Sequence, residues 1–540
     1  MHYFPDESIG KGNSWYSVFP IPLMFLATAL LYCSSTAPWG REVDPEYAYA
    51  MNGLAWAGGY SFQLFQHPGT TTLLLVGSIF KLWALIDGQT DIIGSGLKNI
   101  DSIIYAARSV EIAILTSVLF VSGLIVKRAA RSSIAAMLFQ VAPFVSLQTI
   151  HFPSILMPES LLVSSVILGM ALILKAALGD QPPSTRLGLV LGLVCAFGMS
   201  SKFLYMPLAV VGIAALLRNR LALAVSGVVA VSAFYVIHFL FHPRVLYDGY
   251  AWLYSIASHK GQYGHGEAGL IDGDTFWLNM KAIVVAEPII FGIFSAGAIL
   301  ALSRMIKSRS FLDPISITLV ASFLAMCAHL LATAKHFNLH YMLANWAATS
   351  GVVVLAVIEI RRLFPRVAPQ FITKAAIFFC VAICGTTIVR ARNDAVEQIA
   401  QDQIGAKLSN TILSAAGSCA NVTGMFVRAP EHPLSFGDIF TLATPEMVKR
   451  FSDSYVRSFK NALLDHDLYR NGLFKNFQPY SYEQLFQEYP CVVVRTFNEL
   501  TSETSSGLLE LKPDRCVIDR IHVYTLGISC RKLLDTYNST

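Results

Sequence analysis

Three carboxylates in this sequence stand where apolar stretches begin or end. Asp44 and Glu46 follow the first apolar stretch in the order Asp-Pro-Glu-Tyr, and Glu159 precedes a later one in Met-Pro-Glu-Ser. A carboxylate held beside an apolar region can remove a proton from a hydroxyl group. The same positions also suit helix starts, with Asp44 as an N-cap and acidic residues in the first turn. Both interpretations stay open, and they are compatible.

Basic and aromatic residues occupy further junctions between apolar stretches. Lys202 separates two short stretches, while Lys335, His340 and Tyr341 lie together between two later ones. Cationic side chains at such places could hold a phosphate or pyrophosphate group. Lys202 could equally pair with Glu159 or extend to the membrane surface. Tyr341 is also typical of aromatic residues that anchor a chain at a membrane interface.

A glycine-rich loop over 242–279 carries another group of candidates. His259, Lys260 and His265 are interspersed there with glycines, which permit a ligand to approach the backbone closely. A simple solvated loop is the alternative. The two histidines are six residues apart, which matches no strong zinc pattern, so a metal site stays unknown. His67 opens a His-Pro-Gly turn that could contribute to a site or only start a helix.

The composition indicates which kind of protein holds these residues. Of 540 residues, 54% are hydrophobic and 14% are charged, and the mean hydropathy is +0.53. Soluble proteins carry about 25% charged residues. The composition therefore excludes a soluble cytosolic enzyme, a disordered protein and a nucleic-acid binder, and it predicts an α-helical polytopic membrane protein. The net charge of +5 is too small to imply a polyanionic partner.

Charge density divides the chain into two parts. Residues 1–392 contain 44 charged residues, whereas the 148 residues of 393–540 contain 31. We therefore predict a transmembrane domain over 1–392 and a soluble domain over 393–540. Runs of β-branched residues at 491–497 and 516–526, together with helical patterns, favour an α/β fold for the second domain. Its four cysteines could form disulfides in an oxidising compartment, with a pairing that the sequence does not reveal.

Apolar stretches long enough to cross a membrane occur about eleven times. Two more helices, over 45–57 and 68–86, are expected to lie in the outer interface. Counting 68–86 as a span would move the later basic clusters to the opposite side. The expected spans are 16–35, 102–126, 132–150, 156–178, 186–201, 203–217, 221–241, 280–303, 314–334, 342–360 and 372–390.

Basic clusters in four short loops orient the bundle. Lys and Arg are retained on the cytoplasmic side of a membrane. Alternating the spans places the clusters near 127–131, 218–220, 304–309 and 361–366 on one face. The candidate residues and the C-terminal domain then lie on the opposite, extracytoplasmic face.

In this arrangement the motifs resemble those of the GT-C superfamily of polyprenyl-phosphate-sugar glycosyltransferases. The resemblance is to the branch of protein O-mannosyltransferases and lipid A aminoarabinose transferases, and it covers about residues 16–390. The motifs that carry it are Asp44-Pro-Glu46-Tyr47, His67-Pro68, Arg108, Met157-Pro-Glu159-Ser160-Leu-Leu, Ser201-Lys202-Phe203 and His340-Tyr341-Met-Leu.

The resemblance implies a role for each candidate. Asp44 would be the catalytic carboxylate that activates the acceptor hydroxyl, and Glu46 would assist it. The residues implied to hold the carrier phosphate are Lys202, Lys335, His340 and Tyr341. Glu159 and His67 are implied to position the acceptor or the lipid. His259, Lys260 and His265 carry none of the family's motifs and are predicted for the same role from the glycine-rich loop itself. The mechanism requires no cofactor, but Pro45 after Asp44 is similar to the metal-dependent oligosaccharyltransferases, so Mg²⁺ or Mn²⁺ stays an alternative.

The implied activity is the transfer of one hexose or pentose, with inversion, from a polyprenyl phosphate to a glycan, lipid or protein acceptor. The implied location is a bacterial inner membrane with the reaction on the periplasmic face. Two alternatives stay open: an oligosaccharide ligase or polymerase that uses polyprenyl-pyrophosphate glycans, and a transporter or flippase of lipid-linked sugars. Transporters often contain inverted repeats, and we find no such internal symmetry.

Overall fold

The computed structural model describes residues 15–40, 46–66, 68–260, 266–424, 427, 430, 434, 437, 441–459, 462–467, 472–496, 499 and 511–539. By its internal contacts the chain divides into two compact units. Unit 1 consists of Met1–Tyr32, Phe65–Thr72 and Arg108–Arg392. Unit 2 consists of Cys33–Leu64, Leu73–Ala107 and Asn393–Thr540.

Helices dominate the chain up to residue 415. Within the described ranges they are α1 (Pro20–Ser35), α2 (Glu46–Ala57), α3 (Thr70–Ile86), α4 (Ile92–Lys98), α5 (Ile100–Ala130), α6 (Ser133–Val141), α7 (Gln148–His151), α8 (Pro158–Leu178), α9 (Thr185–Ser201), α10 (Met206–Leu216), α11 (Arg220–Phe241), α12 (Tyr250–Ser258), α13 (Gly273–Ala286), α14 (Pro288–Ser308), α15 (Pro314–Lys335), α16 (Leu343–Leu363) and α17 (Pro369–Ala415).

The helices confirm a polytopic membrane protein. Among the described residues, 8 helices are long and apolar enough to cross a membrane, or up to 9 if a bent pair counts as one span. Three shorter apolar helices, Thr70–Ile86, Thr185–Ser201 and Phe203–Leu216, also occur. The expected total of about eleven spans stays a prediction. The helical spans are Tyr16–Ser35, Ile100–Ala130, Pro158–Leu178, Arg220–Phe241, Pro288–Ser308, Pro314–Lys335, Leu339–Leu363 and Pro369–Ala415.

The predicted span over 132–150 is not straight. Its two halves, Ser133–Val145 and Gln148–Ser154, meet at an angle of 100°. Pro143 lacks the backbone N–H that would continue the helical hydrogen bonds, and Ser146 adopts an extended backbone at the break. A continuous apolar pattern therefore concealed a sharp bend, because hydropathy does not report backbone direction.

Two glycines allow α9 and α11 to pack closely within unit 1. Gly188 and Gly192 are four residues apart on one face of α9. A Cβ atom at Gly188 would lie 2.2 Å from the carbonyl oxygen of Ala222, and one at Gly192 would lie 2.5 Å from that of Ser226. Small residues at this spacing let helix backbones approach each other in membranes.

Helix α2 is buried on nearly all sides within unit 2. The sequence predicts one apolar face, but every side chain of α2 except that of Trp56 is buried. Gly53 packs against Val76 of α3, and Tyr47 donates a hydrogen bond to Asp101 of α5. Partners distant in sequence therefore cover the face that the spacing of apolar residues predicts to be polar. The interfacial position of α2 stays a prediction.

The C-terminal segment contains a mixed sheet, which confirms the α/β prediction. The described strands are β1 (Ala420–Gly424), β2 (Leu464–Asp467), β3 (Gly472–Lys475), β4 (Gln478–Tyr480), β5 (Val492–Thr496), β6 (Asp514–Ile518) and β7 (Ile521–Leu526). Their order is β4-β3-β2-β1-β5-β7-β6. Strand β1 is parallel to β2 and β5, and the other pairs are antiparallel. Helices α18 (Pro445–Ser458), α19 (Tyr482–Glu488) and α20 (Cys530–Ser539) accompany it.

Two disulfides join the four C-terminal cysteines. The first links Cys419 to Cys491, and the second links Cys516 to Cys530. The first disulfide lies in the core between α17 and the sheet, where Val493 and Leu408 are also buried. The pairing that the sequence left open is thus set by the sheet, because β1 and β5 are adjacent strands.

Candidate functional site

Four of the candidate residues meet at helix ends within unit 1. Glu159 lies in the first turn of α8, and Lys202 lies in the link between α9 and α10. His340 and Tyr341 lie in the short turn before α16. All four side chains are buried. We call Glu159, Lys202, His340 and Tyr341 the polar cluster.

Lys202 is the centre of the polar cluster. Its ammonium donates a hydrogen bond to Glu159 Oε1, and that oxygen lies 3.6 Å from His340 Nε2. The ammonium also lies 5.0 Å from the centre of the Tyr341 ring. His340 Nδ1 is 2.6 Å from Asn338 Oδ1. A buried cation is thus held between a carboxylate and an aromatic face, which is how proteins tolerate such a charge.

Local sequence features position the two charged members of the cluster. Pro158 begins α8 at the first helical position, where its fixed φ suits a helix start. This places Glu159 in the first turn, which favours a negative charge. Lys202 adopts an extended backbone that ends α9. A Cβ at Gly198 would lie 2.3 Å from the Tyr205 ring, so glycine is needed where the chain turns back.

The polar cluster retains hydrogen-bonding capacity. Among the described residues, Glu159 Oε2 is buried and accepts no hydrogen bond. The hydroxyls of Ser160, next to Glu159, and of Ser200, two residues before Lys202, are likewise buried without a described partner. Unused polar atoms in a buried place are costly unless something binds them. The Lys202 ammonium can attract an anion, and the hydroxyl group of a ligand can donate a hydrogen bond to Glu159.

The link that carries Lys202 is supported from two sides. Ser201 Oγ is 2.7 Å from Thr71 Oγ1, and its carbonyl accepts a hydrogen bond of 3.0 Å from the backbone of Gly69. On the other side, His329 of α15 contacts the carbonyl of Leu204. Neither Thr71 nor His329 belongs to a motif that indicates this contact. The run Thr70-Thr71-Thr72 was the available signal, because three hydroxyls at the start of an apolar helix need partners.

Lys335 lies at the end of α15 and has a partner of its own. Its ammonium donates a hydrogen bond of 2.7 Å to the carbonyl of Ala257. The adjacent His336 is buried, and burial lowers the pKa of its imidazole, with the Lys335 charge lowering it further. The neutral form of His336 is therefore favoured.

His259 and Lys260 form the base of the glycine-rich loop. His259 pairs with Ala268 in an antiparallel bridge, and its Nδ1 lies 3.0 Å from the carbonyl of Ser255. The Lys260 ammonium is 3.9 Å from a Glu267 carboxylate oxygen. Both side chains have loop contacts, and their role in positioning an acceptor stays a prediction.

Glu46, the described acid of the first loop, belongs to unit 2. Glu46 begins α2 and is buried. Asp44, His67 and His265 lie outside the described residues. Within the part of the chain that is described, no group of three or more His, Cys, Asp or Glu side chains could hold a metal ion. The catalytic, acceptor and metal assignments therefore stay predictions.

Comparisons with known proteins find similarity at the level of solved structures. No protein-family profile matches the chain, and no curated protein matches it. ArnT from Cupriavidus metallidurans bound to undecaprenyl phosphate has a TM-score of 0.46 and 12% identity, over 94% of this chain and 98% of that chain. The apo state of the same protein has a TM-score of 0.45 and 14% identity over the same shares.

An archaeal structure is also similar to the chain. The oligosaccharyltransferase AglB from Archaeoglobus fulgidus, in complex with an inhibitory peptide and a dolichol-phosphate, has a TM-score of 0.41 and 12% identity. The match covers 93% of this chain and 73% of that chain.

Proposed function

We propose that this protein is an integral membrane glycosyltransferase that moves a single sugar from a polyprenyl phosphate to an acceptor outside the cytoplasm. One observation carries the proposal: the buried ion pair of Lys202 and Glu159 at helix ends of a polytopic bundle. Glu159 lies in the apolar helix Pro158–Leu178, and ionisable groups within membrane-spanning helices are costly and mark functional sites. A lipid phosphate is an anion that can reach this ammonium from the membrane.

The polar cluster supplies the binding half of the reaction. The oxygen of the acceptor forms a bond to the anomeric carbon while the bond from that carbon to the phosphate oxygen breaks. The leaving polyprenyl phosphate gains negative charge, which Lys202 stabilises best in a site that excludes water. His340, Tyr341 and Lys335 complete the proposed phosphate site, and Glu159 positions the acceptor or the phosphate.

The first loop supplies the proposed acid–base half. Asp44 takes the proton of the acceptor hydroxyl, and Glu46 assists it. With one base and one leaving group, the acceptor displaces the phosphate in a single step, and a single displacement inverts the anomeric carbon. His67, His259, Lys260 and His265 are proposed to position the acceptor, which is a glycan, a lipid or a protein.

The disulfides support the proposed sidedness. Disulfides persist in oxidising compartments and are rare in the cytosol. The C-terminal segment contains two of them, which supports its position on the periplasmic side of a bacterial inner membrane. The basic clusters of the short loops support the same orientation.

Transfer by the purified protein in detergent tests the proposal. Undecaprenyl phosphate carrying a radiolabelled sugar is the first donor to use, with a panel of glycan, lipid and peptide acceptors. We expect Asp44→Asn to abolish transfer while expression and melting temperature stay unchanged, and Glu488→Gln in an exposed ion pair to keep full activity. Unaltered turnover by Asp44→Asn would remove the proposed base.

The same assay separates the alternative functions. Mass spectrometry of the product distinguishes the addition of one sugar from the addition of a whole glycan, which a ligase or polymerase would transfer. A transporter would show no product in detergent, because transport needs two compartments.

A further inference from the structure

Contacts with the C-terminal segment flank the acids of the first loop on both sides in sequence. Before them, the backbone N–H of Ala37 donates a hydrogen bond of 2.8 Å to Asp402 Oδ2 of α17. After them, α2 is joined to Thr441, because Asn52 Nδ2 donates a hydrogen bond of 2.9 Å to Thr441 Oγ1. Both contacts lie within unit 2, and all but Ala37 of these four residues are buried.

Asn52 joins three separate stretches of the chain. Its amide nitrogen also donates to the carbonyl of Ala48 at 2.9 Å. Its amide oxygen accepts hydrogen bonds from the backbones of Gln63 at 2.8 Å and Leu64 at 3.1 Å. Asn52 is fully buried, so each of these bonds is expensive to lose. One side chain thus joins α2, residues 63–64 after it, and the C-terminal Thr441.

The C-terminal segment also approaches α2 too closely to allow a larger residue. A Cβ at Gly437 would lie 2.5 Å from the carbonyl oxygen of Tyr47 and 2.4 Å from Met51 Sδ. Tyr47 directly follows Glu46 in sequence. The backbone next to the acid is therefore in van der Waals contact with a residue that is nearly 400 positions distant.

A third contact holds the helix after α3. Asp91, the N-cap of α4, accepts a hydrogen bond from Gly94 at 3.1 Å. The same carboxylate pairs with Arg450 at 3.0 Å and with Arg457 at 3.2 Å, both from α18. These pairs are partly exposed and individually weak, but they show that the C-terminal segment contacts the start of α4 as well as α2.

We propose that the C-terminal segment is the positioning element for the start of α2, where Glu46 lies, and that Thr441 and Asp402 are its positioning residues. The proposal rests on the proposed function, in which Asp44 and Glu46 act on the acceptor. A base must be held within a fraction of an ångström of its proton to be effective, and a displacement of about 1 Å can lower a rate about 100-fold. Neither Thr441 nor Asp402 needs to touch a substrate.

The experiment compares Thr441→Val with Thr441→Ser in the full-length protein in detergent. Valine keeps the shape but removes the acceptor of the Asn52 hydrogen bond, whereas serine keeps the hydroxyl. Glu488→Gln is the control for loss of a polar contact elsewhere in the same segment. Two readouts are measured: hydrogen–deuterium exchange of residues 46–64, and kcat and KM with the undecaprenyl-phosphate sugar.

The Thr441 hydroxyl accepts from Asn52 and donates to the carbonyl of Gly437, so we expect Thr441→Val to speed exchange of residues 46–64 by about 5-fold or more through the loss of these two buried hydrogen bonds. We expect kcat to fall about 10-fold or more while the donor KM stays within about twofold of the wild-type value. Thr441→Ser and Glu488→Gln keep wild-type values in both readouts. If Thr441→Val fails to fold, Asp402→Ala is measured in its place, because it removes the acceptor of the Ala37 N–H at the other flank. We then expect faster exchange of residues 33–40 and a fall in kcat of about 10-fold, and unchanged exchange of 33–40 would overturn the proposal.

Unchanged exchange of residues 46–64 in Thr441→Val would overturn the positioning role, as would a fall in kcat that Glu488→Gln reproduces. A changed donor KM with unchanged kcat would also contradict it, because a positioning residue for the base acts on the chemical step. If the wild-type protein transfers no sugar, the proposed function fails, and the exchange measurement alone still decides whether Thr441 holds the first loop.

Discussion

Replacing Lys202 separates what the polar cluster does for stability from what it does for binding. The variant Lys202→Met leaves the Glu159 carboxylate buried beside a methyl group. Removing one partner of a buried ion pair costs about 3–5 kcal/mol, whereas replacing both partners with neutral groups is often close to neutral. We therefore expect Lys202→Met to lower the melting temperature clearly, and the double variant Lys202→Met/Glu159→Gln to recover most of the loss.

The affinity for the lipid carrier is expected to rank the variants differently from their melting temperatures. A hydrogen bond to a charged group contributes about 1.5–3 kcal/mol, which corresponds to about 10- to 150-fold in affinity. Both the single and the double variant lack the ammonium, so both should bind undecaprenyl phosphate more weakly by this factor. Melting temperature in detergent and titration calorimetry with undecaprenyl phosphate measure the two effects on the same preparation.

Either of two results would refute this reasoning. If the double variant recovers stability and also binds the carrier with wild-type affinity, Lys202 is not the phosphate ligand. If Lys202→Met melts at the wild-type temperature, the ion pair with Glu159 is not a buried, solvent-excluded contact. Lys202→Arg is the matched control, because it keeps the charge while changing the shape of the donor.

Two further predictions concern the scaffold. Gly188→Ala places a Cβ 2.2 Å from a backbone carbonyl of α11, whereas a Cβ at Gly227 on α11 meets nothing within 4 Å. We therefore expect Gly188→Ala to lower the melting temperature and Gly227→Ala to leave it unchanged. Equal melting temperatures of the two variants would contradict the helix packing. Loss of the first disulfide, which closes a separation of 72 residues, should destabilise by about 4 kcal/mol, and loss of the second, which closes 14, by about 3 kcal/mol. Paired Cys→Ser variants compared by urea-dependent proteolysis measure the order, and a larger effect from the second disulfide would contradict it.

Much of the scaffold follows from local sequence. Hydropathy identifies most spans because a membrane helix satisfies its backbone internally and needs only apolar side chains. Helix-end signals were also sufficient at α8, where Pro158 and Glu159 mark the start, and at Lys202, where two short apolar stretches meet. The predicted sidedness of the loops placed the members of the polar cluster on the same face of the membrane. The structure brings Glu159, Lys202 and His340 into contact.

The contacts that hold the site in place could not be read in this way. Thr71 and His329 contact the turn of Lys202 from positions more than 120 residues away. Asn52 looks like an ordinary polar residue on an amphipathic helix until Thr441 covers it. Nothing in the local pattern distinguishes a polar residue that faces water from one whose partner arrives much later in the chain. The bend of 132–150 was missed for a related reason, since its apolar character is the same on both sides of the bend.

The three-part construction of unit 2 has a consequence for biosynthesis. Its first two pieces end at Ala107 and its third begins at Asn393, so about 285 residues are synthesised in between. At about 5–20 residues per second, α2 waits roughly 15–60 s for the C-terminal residues that contact it. During this interval the part of α2 that the C-terminal segment covers, which includes Met51 and Asn52, has neither of its contacts with Gly437 and Thr441. A chain truncated before residue 393 would never form these contacts, so we expect the first loop of an unfinished protein to be more accessible to chaperones and proteases than that of the full chain.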